Sequence, residues 1–116
     1  MLDTDTDHQL ISSARIEGTA VYDRRASKMG TIHSIMIDKI SGQAEYAVLL
    51  FGGWFGFGNR AYPIPWSMLN YDRDLKGYQL GLTREEVESA PYIALDKADR
   101  PQEMAEPIYR HWDQYM

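Results

Sequence analysis

Two apolar runs specify a β fold: residues 44–51, with the sequence AEYAVLLF, and residues 61–66, with the sequence AYPIPW. The first run carries large apolar groups at both odd and even positions, which is typical of a central strand that is covered on both faces. In the second run, Pro63 and Pro65 stand two apart, so the amides that they lack would have pointed toward the same neighbouring strand. This run is therefore predicted to be an edge strand, or a strand that crosses between sheets.

Shorter runs of the same type flank these two. Further strands are predicted at residues 19–22, 30–38, 69–71 and 78–82, separated by turns rich in Gly and Asp. Ile32, Ile35 and Ile37 can share one face only if an extra residue is inserted near His33 and Ser34, so a β-bulge is predicted there. Five or six short antiparallel strands in roughly 65 residues suit a small closed or nearly closed barrel. The predicted fold class is mainly β.

Three regions are predicted along the chain. Residues 1–13 are rich in Asp, Thr and Ser and have no sustained apolar period, so they are interpreted as a flexible N-terminal arm. Residues 14–90 form the barrel domain. Residues 91–116 are a C-terminal extension.

Two helices are predicted beyond the strands. Thr83 and Glu86 have the spacing of a capping box, which predicts a short helix over residues 84–89. Near the C-terminus, Ile108, Trp112 and Tyr115 fall on one helical face. Because so short an amphipathic helix is marginal alone, it is expected to rest on its own barrel or on another subunit.

The composition excludes several classes of protein. Among 116 residues there is no cysteine, which excludes disulfides, thiol catalysis and thiolate metal sites. Twelve basic and 17 acidic side chains give a net charge of −5, which disfavours a nucleic acid partner. No apolar stretch reaches the roughly 20 residues of a membrane-spanning helix, and the N-terminus lacks the pattern of a secretory signal. A cytoplasmic location is expected, with peripheral contact at the inner membrane left open.

Asp3, Asp5 and Asp7 have the spacing that opens a calcium-binding EF-hand loop. Counted from Asp3, however, position six is His8 instead of Gly and position twelve is Ala14 instead of Glu. A solvated acidic arm is therefore favoured.

Other motifs for chemistry also fail. Residues 56–61 fit the glycine pattern of a dinucleotide-binding loop, but the chain then enters Pro63 instead of the helix that would face a pyrophosphate. His8, His33 and His111 lack the short spacing of common metal motifs. The sequence therefore predicts no catalytic residue, no cofactor site and no metal site, and the protein is not expected to be an enzyme.

An aromatic loop is the first of two candidate binding features. Trp54, Phe55 and Phe57 stand among four glycines in residues 52–58. Leaving such rings in water costs about 2 kcal/mol each, so they either cap the core or enter a partner. With Trp112 of the C-terminal helix, they are the candidate anchors for a protein partner.

A basic patch is the second candidate feature. Arg24, Arg25 and Lys28 lie close together in the loop that follows the first strand. They are a candidate site for an anionic ligand such as RNA or lipid, with a merely solvated hairpin tip as the favoured alternative.

The order of these features resembles the PRC-barrel family. The residues that carry the resemblance are Val21-Tyr22-Asp23, Gly30-Thr31-Ile32, Met36-Ile37-Asp38, Ser41-Gly42, Tyr46-Ala47-Val48-Leu49, Phe51-Gly52-Gly53, Tyr62-Pro63-Ile64-Pro65-Trp66 and Leu82-Thr83. They cover roughly residues 14–90. The family includes the cytoplasmic domain of the photosynthetic reaction centre H subunit, and a related barrel occurs in ribosome maturation factors. The chain looks most like the stand-alone bacterial members.

The resemblance implies a docking or assembly module without a shared catalytic site, in which Asp38 and the two prolines shape the fold. The expected function is a non-catalytic protein-interaction module that self-associates as a homodimer or higher oligomer. One alternative is a ribosome-assembly or RNA-associated factor that uses Arg24, Arg25 and Lys28. The other is a membrane-associated or small-molecule-binding regulator that uses the aromatic loop.

Overall fold

The structure, a computed structural model, describes residues 9–51, 60–94 and 110–115. Within these residues the elements are α1 (Ser13–Ile16), β1 (Ala20–Tyr22), β2 (Lys28–Ile37), β3 (Ala44–Phe51), β4 (Arg60–Pro65), a 3₁₀ helix (Trp66–Met68), β5 (Asn70–Asp72), β6 (Gly77–Gln79), α2 (Arg84–Glu88) and β7 (Ile93–Ala94). Residues 110–113 are also helical. The predicted mainly β class is confirmed.

The strands form one sheet in the order β5-β6-β1-β2-β3-β4-β7. The long strand β3 lies between β2 and β4, as its two apolar faces predicted. Two details differ from the prediction. β1 pairs with β6 in parallel, although only antiparallel pairs were expected, and in the described part of the chain no pairing joins β5 to β7 to close the sheet. No short turn joins β1 to β6, so local turn signals could not specify their relative direction.

The predicted bulge in β2 is present. Ile32 pairs with Leu49 and Ser34 pairs with Val48, which leaves His33 as the extra residue. Ile32 and Ile35 consequently contact the same core.

Ile37, by contrast, does not point inward as expected. A second shift in register follows Met36: Met36 pairs with Tyr46, and Ile37 pairs with Ala44. Glu45 is the extra residue, and the change in register leaves Ile37 54% exposed.

The sheet buries apolar residues on both sides of β3. The main core consists of Ile16, Val21, Met29, Ile32, Ala47, Leu49, Phe51, Tyr62, Ile64, Leu69, Tyr78, Leu80, Leu82, Val87, Ala90 and Trp112. On the opposite face of the sheet, a second and smaller core consists of Val48, Ala61 and Ile93. Both faces of the central strand are therefore covered.

Strand β4 was predicted to be an edge strand, and it is open on only part of its outer side. β7 pairs with its first two residues, Arg60 and Ala61. Beyond Ala61, no strand in the described ranges pairs with the outer side, where Pro63 and Pro65 have no N–H to donate. This leaves a short length of open edge.

Helix α2 begins at the predicted capping box. The Thr83 hydroxyl oxygen accepts from the Glu86 amide at 3.2 Å, and a Glu86 carboxylate oxygen accepts from the Thr83 amide at 2.8 Å. This amide lowers the pKa of Glu86 because it stabilises the carboxylate. Leu82 and Val87, on either side of the cap, both enter the main core.

Candidate interaction surfaces

Trp112, a candidate anchor for a partner, lies inside its own chain. Its side chain is fully buried in the main core, and its indole N–H donates to the Pro63 carbonyl oxygen at 2.9 Å. The terminal helix was expected to rest on its own barrel or on another subunit, and in the structure it rests on its own barrel. Trp112 therefore fills the core here instead of facing a partner.

The open edge of β4 explains why an indole binds at this place. The Pro63 carbonyl needs a donor, but a strand paired here would find no N–H on the proline to donate to its own carbonyl. The indole N–H is a donor only. Residues 110–115, which we call the C-terminal segment, thus cover the part of the edge that another strand could not pair with completely.

His111 lies beside Trp112 in the C-terminal segment. Its ring meets the Trp112 ring edge-on, with centroids 4.9 Å apart, and Tyr115 packs at 5.9 Å on a tilt. The His111 Nε2 atom is buried and has no hydrogen-bond partner. Burial lowers the pKa of His111, because the charged ring would lose solvent.

The stability of the protein is expected to fall as the pH drops below about 6.5, the ordinary pKa of histidine. With its folded pKa lowered, His111 contributes full stability above that value and loses it as the pH falls through the folded pKa. Thermal denaturation will show a lower melting temperature at about pH 5.5 than at about pH 7.5, and we call this difference the step. His111→Phe should remove the step and His33→Gln should retain it; an unchanged step in His111→Phe would contradict this assignment.

The other candidate anchors, Trp54, Phe55 and Phe57, lie outside the described residues. The described residues at the two ends of this loop are Phe51 and Arg60. The Phe51 ring is buried edge-on against Tyr62, with centroids 5.0 Å apart. The Arg60 guanidinium lies 4.3 Å from the centre of the Tyr92 ring, and a hydrogen bond to Tyr62 raises the pKa of Arg60. The base of the loop therefore combines apolar rings with a stacked cation.

The hairpin tip between β2 and β3 holds an apolar side chain in water. Ile40 is 96% exposed. One Asp38 carboxylate oxygen accepts from the amides of Ile40 and Ser41 at 2.8 and 2.9 Å, and these bonds, that of Ser41 first, lower the pKa of Asp38. Gly42, at φ +78°, donates to the Asp38 carbonyl at 2.8 Å. The backbone of the tip is therefore well fixed. Ile40 was not among the residues that the sequence predicted to contact a partner.

Comparison with known families matches the PRC-barrel domain to residues 8–85, more than half of the chain. The chain belongs to the PRC-barrel family. The match runs from just before the first described residue through β6 to the first residues of α2. A search of curated proteins found no match. PRC-barrel domains are, in general, non-catalytic modules for protein interaction and assembly.

The basic patch of this PRC-barrel has one different member and is more mixed in charge than predicted. Arg24 and Arg25 line one depression together with Arg84, a residue that sequence reasoning missed, whereas Lys28 does not line it. Asp23 and Glu85 line the same depression. The Asp23 carboxylate is directed into its own turn, where it accepts from the amides of Arg25 and Ser27 at 2.8 and 2.9 Å.

Two further observations concern the described part of the PRC-barrel. Its His, Asp and Glu residues form no group of three that could hold a metal ion. None of its helices has the length and apolar character needed to cross a bilayer.

Proposed function

We propose that this PRC-barrel is a non-catalytic protein-interaction module that self-associates as a dimer or higher oligomer. Ile40 carries the proposal, because a large apolar side chain stands in water on a turn in which the amides of Ile40, Ser41 and Gly42 all donate to Asp38. A group already held in one backbone conformation loses little entropy on binding. Burying it would recover about 1.5–3 kcal/mol.

The chemistry of the tip supports a second copy as the partner. Ile37 and Ile40 provide apolar area, and Asp38 and Lys39 between them carry opposite charges. In a two-fold symmetric contact, Lys39 of each copy can lie opposite Asp38 of the other. This local balance matters because the net charge of −5 makes two copies repel elsewhere.

The aromatic loop is the second part of the proposed contact surface. Trp54, Phe55 and Phe57 remain proposed anchors on the sequence grounds given above, since interface hot spots favour such side chains. A cytoplasmic location belongs to the same proposal.

Light scattering on size-exclusion fractions over a range of concentrations tests the proposal. Ile40→Ser is expected to weaken self-association by about tenfold or more, the effect of losing one buried isoleucine side chain. Leu10→Ser is the matched control, because Leu10 is also strongly exposed, at 85%, but lies outside the hairpin tip. Trp54→Ser tests the loop separately.

The outcomes separate clearly. A concentration-dependent oligomer that Ile40→Ser weakens and Leu10→Ser does not would support the proposal. A strict monomer at high concentration would overturn self-association, and an oligomer insensitive to Ile40→Ser would show that the hairpin tip is not the contact.

A further inference from the structure

Trp112 anchors the C-terminal segment to the barrel. Its ring is fully buried in the main core, and its indole N–H donates to the Pro63 carbonyl oxygen at 2.9 Å. The residues beside it are more exposed: His111 is half-buried, and residues 113–115 are exposed. Detachment of the segment does not require the strands to separate, because the segment is helical and pairs with no strand in the described ranges.

His111, next to this anchor, is placed to suit a neutral ring. The side-chain amide nitrogen of Gln114 donates to the His111 carbonyl oxygen at 2.8 Å, and this bond fixes which end of the amide faces the ring. The same nitrogen lies 3.4 Å from His111 Nδ1, so Nδ1 meets a donor and serves as an acceptor. Nε2 is buried and has no hydrogen-bond partner among the described residues. A protonated ring carries an N–H on both nitrogens and would find an acceptor at neither.

The neighbours of His111 in its own segment do not favour a protonated ring. Arg110 adds a positive charge beside it, and Asp113 is exposed two positions along the helix, where side chains do not face each other. Tyr115 packs on the ring, with centroids 5.9 Å apart, and also lines a depression with the 3₁₀ helix and residues 81–82. Neither of those two stretches contains a charged side chain. No counter-charge for His111 comes from these parts of the described chain.

Strand β4, which the segment covers, carries two titratable side chains. The Arg60 guanidinium lies 4.3 Å from the centre of the Tyr92 ring, and the Tyr62 hydroxyl donates to the Glu88 carbonyl oxygen at 3.3 Å. Within the described residues, burial is what shifts the pKa of His111, and it lowers that pKa because the charged ring would lose solvent. The charges around His111 therefore agree with its hydrogen bonds: the docked ring is neutral.

We propose that the C-terminal segment is an acid-sensitive latch, in which protonation of His111 favours detachment of the segment from β4 while the sheet stays folded. Detachment carries the ring into water, where both N–H groups find acceptors. It also withdraws Trp112 from the main core and uncovers the Pro63 carbonyl oxygen. Acidification would thereby expose an apolar site that is closed at neutral pH. The inference does not rest on self-association, because the hairpin tip takes no part in it.

Proton linkage sets the size of the effect. The ordinary pKa of about 6.5 applies to the released ring, and a lower pKa applies to the docked ring. The released state thus binds more protons, and detachment becomes more frequent as the pH falls below about 6.5. Each unit between the two pKa values contributes a factor of about ten. At about pH 5 the limit is roughly thirtyfold, because a released ring is then protonated about thirty times more often than it is neutral.

Hydrogen exchange of the Trp112 indole N–H, followed by NMR on the full chain, tests the proposal. Rates at about pH 7.5 and about pH 5 are divided by those of the same group in an unstructured reference, which gives a protection factor. The protection of Trp112 is expected to fall about five- to thirtyfold over this range. The Leu49 amide, in the strand between β2 and β4, reports unfolding of the sheet. Its protection should exceed that of Trp112 by about tenfold or more at both pH values.

Three variants assign the acid response to His111. His111→Phe removes the titrating ring, so the protection of Trp112 should no longer depend on pH. His33→Gln removes an exposed histidine of β2 and should retain the fall seen in the wild type. Gln114→Glu places a carboxylate beside Nδ1 that can accept from the protonated ring, so the fall should shrink or reverse. Because Gln114 is exposed, this variant decides the question even if His111→Phe does not fold.

Other results would overturn the latch. Equal protection of Trp112 and Leu49 would mean that the segment detaches only when the sheet unfolds. Protection of Trp112 that does not change with pH in the wild type would remove the acid response altogether. A fall of the wild-type size in His111→Phe or Gln114→Glu would assign that response to another group.

Discussion

Trp112→Ala is expected to destabilise the protein by about 3–5 kcal/mol, because it empties a fully buried site and leaves the Pro63 carbonyl without its donor. The loss arises from a residue near the C-terminus, in a segment separated from β4 by many residues. Urea denaturation followed by far-ultraviolet circular dichroism measures it. Because β4 borders the main core, we expect a lower midpoint for the whole barrel and not only for the C-terminal segment.

Trp112→Phe separates the two contributions to this effect. It retains most of the ring volume and removes the N–H, so a loss of about 1–3 kcal/mol is expected from the unsatisfied carbonyl and the smaller ring. If Trp112→Ala denatured within about 0.5 kcal/mol of the wild type, as surface substitutions do, the C-terminal segment would not be part of the core.

Local features of the chain made much of the fold predictable. The bulge at His33 follows from Ile32 and Ile35, which can share a face only with one extra residue, and the capping box at Thr83 follows from a spacing of three residues. Pro63 and Pro65 predicted that one side of their strand could not donate its ladder bonds, because a missing N–H is a property of the residue itself. In each case, the determining atoms lie within a few residues of one another.

Features that depend on distant segments could not be predicted in the same way. The parallel pairing of Val21 with Tyr78 joins strands far apart in sequence, and the contact of Trp112 with Pro63 does the same. The exposure of Ile37 depends on the register of the opposite strand, where Glu45 is extra. A pattern along one strand does not contain that information.

The candidate sites follow the same division. Arg24 and Arg25 were recognisable as a patch because they are adjacent, but Arg84 joins them only through the fold. Another surface depression draws Met68, Leu82 and Tyr115 from three separate parts of the chain. An apolar residue within the Asp38–Gly42 turn was a usable signal for Ile40, because turns usually carry polar residues.

Gly30→Ala is expected to destabilise the protein by about 3 kcal/mol, at the upper end of what overpacking usually costs. Gly30 lies opposite Phe51 where β2 and β3 approach closely. An added Cβ would overlap the Leu50 carbonyl oxygen and would lie 2.9 Å from the Phe51 Cα atom. Both obstacles belong to the backbone, so no change of side-chain rotamer can relieve them.

The position of β3 makes this strain costly. β3 pairs with β2 on one side and β4 on the other, so a displacement at Leu50 disturbs both ladders and both cores. Gly81→Ala is the matched control, expected to stay within about 0.5 kcal/mol of the wild type because its Cβ meets open space. Chemical denaturation of the two variants side by side distinguishes close strand packing from a general intolerance of alanine. Equal midpoints would mean that β2 and β3 can separate at Gly30 without loss, and that glycine there is not required by the approach of the two strands.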